Sequence, residues 1–279
     1  MGVSQLTVNH LLSILEKIAE PGLAESWDNI GLMVGAPDQT IDGILIALDT
    51  TPEVLAEAVA TGCNIIVTHH PLIFKPMRSI RTDLESGRLI SAAIKQDLAI
   101  IACHTNLDKA IGGVNDALAA AFNLRDSAPL LREIGQPEVP GFGRIGDLPS
   151  PLPFQEFINL LLDTLGLDGV RFAGPSPKIV SRVALCGGSG SELAVNAREA
   201  AAQVYITGEV KHSDARWAEA AHFCIIDAGH YATENVVVPT LTDAIAKACL
   251  NHGPMIPVLA TTTQKNPFRH CFRSEDMKN

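Results

Sequence analysis

Histidines and carboxylates gather at four points of this chain, each directly behind a short apolar run. His69 and His70 close the run that begins at Ile65, and Pro71 follows them. His104 closes Ala99 to Cys103 and stands four residues before Asp108. His230 comes soon after Phe223 to Asp227 and stands four residues before Glu234, while Asp49-Thr50-Thr51 follows Ile44 to Leu48. Imidazole nitrogen mixed with carboxylate oxygen suits zinc, manganese or iron, whereas calcium and magnesium prefer oxygen alone. An imidazole nitrogen ends on one ion, but a carboxylate can bridge two. Together these strand ends offer three or more histidines and two carboxylates, a set that could serve two divalent ions, with Asp108 and Glu234 as the natural bridges. Ions held ~3.5–4 Å apart could share a water and lower its pKa enough to make a hydroxide nucleophile near neutral pH.

Each group taken alone has a plainer reading. Adjacent histidines can simply be solvated, and His104 with Asp108 can be a hydrogen bond that pins a loop. His230 and Glu234 share a helix face at this spacing, yet such pairs are often solvated caps. What separates chemistry from coincidence is their repeated placement at the ends of different strands. Cys186-Gly187-Gly188-Ser189-Gly190-Ser191 is either a phosphate cradle or a tight turn, since it lacks a P-loop lysine. Glu209 and His212, behind Thr207-Gly208, either face a cleft or decorate a surface turn. Trp27 and Asp28 read as a loop brace. His10, His222, His252 and His270 have no companions and read as structural or solvated.

The elements that must hold these residues alternate. Helices are expected over 7–20, 52–61, 87–97 and 113–122, and strands over 44–48, 64–68 and 99–103, with 26–31 as a loop. Runs of β-branched and aliphatic residues without polar alternation predict strands buried on both faces, as in a parallel sheet. Such sheets place ligands at their carboxyl ends, where the histidines stand. Residues 126–153 interrupt the rhythm with Pro137, Pro140, Gly141, Gly143, Pro149, Pro151 and Pro153, and read as a linker or a few edge strands. A helix over 154–165 and a second Pro/Gly cluster at 174–177 precede a restart. There, 183–209 resembles 46–70 when a two-residue insertion is allowed in the Gly-rich turn. Further helices are expected near 213–221 and 235–250, with a strand at 223–227. A final strand at 256–263 returns to the first sheet. The fold class is α/β, with two related α/β domains and mainly parallel sheets facing a metal-containing cleft. Residues 1–130 plus 236–279 form the first domain, and 131–235 are inserted as the second.

Bulk properties narrow the function classes. With 279 residues the chain is long enough for two domains. A net charge of −10 argues against a protein that coats nucleic acid, which needs a basic surface. The six cysteines form no C-x-x-C pair, and most lie in or beside apolar runs, a pattern suited to a reducing compartment. No apolar stretch approaches the length of a membrane span and no signal peptide opens the chain, so it is expected to be cytoplasmic and free of membrane contact.

Several of these segments together resemble a known family. Ser-Trp-Asp-Asn-Ile-Gly-Leu at 26–32, Thr-His-His-Pro-Leu-Ile-Phe at 68–74 and His-Thr-Asn-Leu-Asp at 104–108 are similar to motifs of the Nif-three-like family. So are Thr-Gly-Glu at 207–209 and Gly-His-Tyr-Ala-Thr-Glu at 229–234. Its members are described as GTP cyclohydrolase I type 2 homologues or dinuclear metal-centre proteins. The resemblance implies a two-domain α/β fold in the short form, without a further inserted domain, and a ring-like homohexamer. It implies two divalent metal ions per subunit held by His69, His70, Asp108, His230 and Glu234, with His104 close by or facing substrate. Tyr231 departs from the pattern, for a second histidine often follows the first there. The implied reaction is metal-dependent hydrolysis of a nucleotide-like small molecule, with His104 and His212 as candidates for proton transfer. The alternative is a metal-stabilised oligomeric binding or regulatory protein without turnover.

Overall fold

The computed structural model describes residues 5–132, 140–250 and 255–269. Pro137, His252, His270 and Cys271 lie outside the described residues. Helix α1 (Val8–Ile18) starts at Thr7, whose backbone N–H donates to His10 Nδ1 at 3.1 Å. His10 is thus a capping residue, and Pro21 follows the helix in a short 3-10 turn. Next come β1 (Gly31–Val34), β2 (Ile44–Ala47), α2 (Pro52–Ala60), β3 (Ile65–Thr68), α3 (Glu85–Lys95) and β4 (Ala99–Ala102). Every residue of β2, β3 and β4 is buried. Strand alternation divides them between two cores. Ile44, Ile46, Ile65 and Val67 pack on one side with α1, whereas Leu45 and Ile66 pack on the other with α2 and α3. Burial on both faces explains why these strands read as unbroken apolar runs.

Helices α4 (Thr105–Lys109) and α5 (Val114–Ala121) then lead out of this sheet. Val114 and Ala117 of α5 belong to the first core, while Leu118 belongs to the core of a second sheet, so one helix is packed against both. The second sheet is built from β5 (Arg125–Leu131) and β6 (Phe142–Pro153), α6 (Phe154–Leu165), β7 (Arg171–Ala173), β8 (Ile179–Cys186), α7 (Ala194–Glu199), β9 (Val204–Thr207), α8 (His212–Ala220) and β10 (Cys224–Asp227). The short α9 (His230–Glu234) and α10 (Val237–Cys249) carry the chain back to β11 (Val258–Ala260). The strand orders are β1-β4-β3-β2-β11 and β5-β6-β8-β9-β10-β7.

Both sheets have parallel centres, β4-β3-β2-β11 in one and β8-β9-β10 in the other. Antiparallel strands border them: β1 in the first, and β5, β6 and β7 in the second. The proline-rich segment therefore resolves into paired border strands, with irregular register where β6 meets β8. Strand β1 was not expected, because Gly31 to Val34 is too short to stand out beside the preceding loop. The ladders also correct the repeat. Ala47 pairs with Thr68 and Cys186 pairs with Thr207, so the two strand–helix–strand units match residue for residue without an insertion. His69 and His70 then correspond to Gly208 and Glu209.

The returning segment is clamped at α2. Glu57 accepts hydrogen bonds from Thr261 Oγ1, from Thr262 N at 2.8 Å and Oγ1 at 2.7 Å, and from Thr263 Oγ1 at 2.8 Å. Burial alone would raise its pKa, but these bonds hold the Glu57 carboxyl down at about 2. A depressed pKa stabilises the fold above the ordinary carboxylate value of about 4.3 and loses that contribution as pH falls towards 2. Because the group is only partly buried and solvent screens it, about 1 kcal/mol is at stake. Glu57→Gln should lower stability near neutral pH and flatten its decline between pH 4.5 and 2. Chemical denaturation across that range measures both effects.

Candidate metal centre

Four carboxyl strand ends and the start of α9 converge on one point between the two sheets. His69 is fully buried behind β3, with its Nδ1 2.9 Å from the carbonyl of Cys103. His70 Nδ1 lies 2.7 Å from Asp49 Oδ1, just beyond β2. His104, behind β4, has its Nδ1 2.8 Å from Asp28 Oδ1. His230, at the start of α9, has its Nδ1 3.0 Å from Glu209 Oε1 behind β9. A carbonyl or carboxylate can only accept, so each Nδ1 carries the proton and donates. Each Nε2 is then left as a lone pair. This is the arrangement of metal-ligating histidines, whose outward N–H is fixed by a carboxylate or carbonyl.

The lone pairs face carboxylates rather than donors. His69 Nε2 is 3.6 Å from Asp108 Oδ1 and 3.6 Å from Glu234 Oε1. Glu234 Oε2 is 3.0 Å from both His70 Nε2 and His230 Nε2, and those two nitrogens are 3.2 Å apart. Among the described residues, His69 Nε2, Asp108 Oδ1 and Glu234 Oε2 are buried without a hydrogen bond of good geometry. Buried acceptors turned towards one another need positive charge between them. Divalent cations fit that requirement.

Three groups have ligand atoms within 4.8 Å of one another: His69 with Asp108 and Glu234, His70 with His230 and Glu234, and His69 with His70 and His104. Glu234 alone joins both carboxylate-bearing groups, one oxygen turned to each. Among the described residues, Asp108 groups with His69 and Glu234 only. His104, expected close by the metals or facing substrate, has a ring nitrogen among the potential ligands. Its signal was present in the sequence, as it shares a strand end with Asp108, but the direction of its ring was not legible.

Without cations, protons take their place. Burial opposes charge on His69, yet Asp108 and Glu234 raise its pKa. His70 is pushed up to about 10 despite burial, by Asp49 and Glu234. Burial and the Glu234 charge raise the Asp108 carboxyl, whereas the surrounding imidazoles hold Glu234 well below its ordinary value against the effect of burial. His104 is lowered, first by burial and then by His69.

The supports come from both sheets. Asp28, with a wholly buried side chain, also accepts from the Thr105 backbone N–H at 3.0 Å. The sequence suggested a loop brace, and the group that Asp28 holds is the ring of His104. Asp28→Asn puts an amide against at least one of these donors, and the expected result is a 10–100-fold loss of metal affinity. Competition with a chelator of known affinity checks it. Gln264 accepts from the backbone N–H of Leu48 at 2.7 Å and donates Nε2–H to Asp49 Oδ2 at 2.6 Å, steadying the partner of His70. Tyr231, at the position of the departure, donates its hydroxyl to the Gln264 carbonyl at 3.2 Å.

Two other sequence readings resolve differently. Gly187 N–H donates to Asn115 Oδ1 at 2.9 Å and Gly188 N–H to Thr233 Oγ1 at 3.1 Å, so these amides are not directed at a phosphate. They tie the Gly-rich turn to α5 and α9. His212 does not reach the centre. It is exposed at the start of α8 and lines a separate groove with Arg171 and Asp227, because the chain turns away immediately after Glu209.

Among the described residues, no helix is long and apolar enough to cross a membrane. The family model of Duf34/NIF3 (NGG1p interacting factor 3) matches residues 6–267. A Clostridium perfringens protein named GTP cyclohydrolase 1 type 2 homolog is 34% identical over 245 residues, covering 86% of this chain and 91% of that protein. Protein NIF3 homolog of Schizosaccharomyces pombe is 31% identical, covering 80% and 83%. The crystal structure of Staphylococcus aureus protein SA1388 is similar with a TM-score of 0.88 and 30% identity, over 95% of this chain and 99% of that one.

Proposed function

Since the chain belongs to the Duf34/NIF3 (NGG1p interacting factor 3) family, we propose that it is a divalent-metal-dependent hydrolase with a nucleotide-like substrate. The observation that carries this reading is the convergence of three lone-pair imidazole nitrogens, of His69, His70 and His230, on a buried carboxylate with an oxygen turned to each side. His69, Asp108 and Glu234 would hold one ion, His70, His230 and Glu234 a second, and His104 would complete the set. Ions of zinc, manganese or iron, when bound, supply Lewis-acid charge and an acidified water. The residues of the chain do the rest. Asp49, Asp28, Glu209 and the Cys103 carbonyl fix the imidazole tautomers, so the rings need no rearrangement to coordinate. Glu234, nearly excluded from solvent, keeps the two halves of the ligand set in register. His212 has no place in this scheme, and proton transfer is left to solvent or to the substrate itself.

The substrate class is supported by the name GTP cyclohydrolase 1 type 2 homolog carried by the C. perfringens relative. Metal-reconstituted protein should turn over GTP or a damaged purine nucleotide, with Glu234→Ala as the inactive blank. A fully metallated protein that leaves the whole panel untouched would favour the binding or regulatory alternative. A ring-like homohexamer is proposed on the family's pattern, and light scattering that gives a monomeric mass would count against it.

A further inference from the structure

Neighbouring residues Trp27 and Asp28 behave oppositely. The Asp28 side chain is fully buried, whereas Trp27 is 59% exposed. Trp27 lines a cavity of about 580 Å³ that also reaches His104, Asp108, His230 and Glu234. Its place is fixed by edge contacts, with ring centroids 5.9 Å from Phe74 and 6.4 Å from His104. Phe74 is itself 44% exposed and lies 6.0 Å from the His104 ring. An indole held in position but left mostly in water contributes little to the core. Beside a cavity that opens on a ligand cluster, it marks a contact for what enters.

The cavity volume is that of a small molecule, not of a folded partner. An aliphatic chain would be served by leucine. A planar π-system gains stacking that aliphatic side chains cannot give. The cavity wall also carries Lys109, its Nζ 2.6 Å from Glu25 Oε1 and 4.8 Å above the Phe142 ring. This pair sets an ammonium beside a carboxylate, complementary to a ring edge that bears an acceptor beside a donor. We propose that Trp27, positioned by Phe74 and His104, is the surface of the cavity on which the planar base of the substrate stacks. This rests on the nucleotide-hydrolase reading and deepens it by naming the residue that selects for the ring.

Two probes with the same phosphate monoester test it: GMP, and ribose 5-phosphate, which lacks the ring. With metal-loaded full chain, calorimetry should find GMP bound at least about tenfold more tightly. In a Trp217→Phe background Trp27 is the remaining tryptophan, and GMP but not ribose 5-phosphate should quench it. Trp27→Leu should bring the two affinities within about twofold, with metal content unchanged, and Trp27→Phe should keep most of the preference. Equal binding of the probes to the wild type, or a GMP preference that survives in Trp27→Leu, overturns the proposal. Failure of the hydrolase reading is seen separately, as missing metal or missing turnover.

Discussion

Glu234→Ala is expected to reduce the bound divalent metal from two ions per chain to at most one weakly held ion, and to abolish turnover. Even residues that only orient metal ligands are worth about 10–100-fold in affinity, so loss of a carboxylate shared by both halves should exceed a hundredfold. In the metal-free protein Glu234 Oε2 lies 3.0 Å from both His70 Nε2 and His230 Nε2 and is the counter-charge that sustains their protons, so its removal leaves those imidazoles without a partner. The metal-free variant should therefore be less stable than metal-free wild type by about 1–3 kcal/mol. The metallated wild type should stand apart. Ions at about a thousand times their dissociation constant add roughly 4 kcal/mol, on the order of 10 °C in Tm. Elemental analysis and calorimetry with and without chelator read both numbers. Separation of the two sheets in Glu234→Ala would instead indicate that metals act mainly as a staple.

Gly188→Ala should damage the centre almost as much, from a residue that offers no ligand. Its φ is +62°, and a Cβ there would stand 2.0 Å from Glu234 Oε1 and 3.3 Å from His230 Nε2. Gly62 supplies the control, since its φ is +72° but a Cβ would meet nothing within 4 Å. Both substitutions impose the left-handed backbone cost of about 1–2 kcal/mol. Only Gly188→Ala must also push the shared carboxylate aside. Chelator competition should show a tenfold or greater loss of affinity in Gly188→Ala and none in Gly62→Ala, while thermal unfolding registers a penalty in each. Equal metal affinity in the two variants would falsify the placement of Glu234 between the ligand groups.

Much of this was legible because both periodicity and chemistry are local signals. The buried strands Ile44–Ala47, Ile65–Thr68 and Ala99–Ala102 appear as apolar runs because both of their faces are covered. The five residues expected as ligands stand together because His69 and His70 follow a strand, while Asp108, His230 and Glu234 belong to the short helices that come directly after strands. What was missed depends on orientation and on distant partners. The direction of His104 is set by Asp28, 76 positions away in sequence. The Gly-rich turn could be read as a phosphate cradle or a tight turn, and the amides of Gly187 and Gly188 are taken by Asn115 and Thr233 from other elements. His212 was drawn to the cleft by its nearness to Glu209, although helix α8 leads it elsewhere. Strand β1 is defined by its pairing with β4 rather than by its own four residues.

The link from Gln264 through Asp49 to His70 has a consequence for synthesis. Gln264 is 215 residues beyond Asp49, and the whole second sheet is translated between them. At about 5–20 residues per second, roughly 10–40 s separate the two on the ribosome. Over most of that interval His230 and Glu234 have not been made, and Asp49 lacks its brace. The nascent chain thus exposes His69 and His70 long before it can offer a finished coordination set. On the proposed function, the complete ligand set exists only after Glu234 is translated, and the brace on Asp49 only after Gln264, so metal loading would be a late event in the life of the polypeptide.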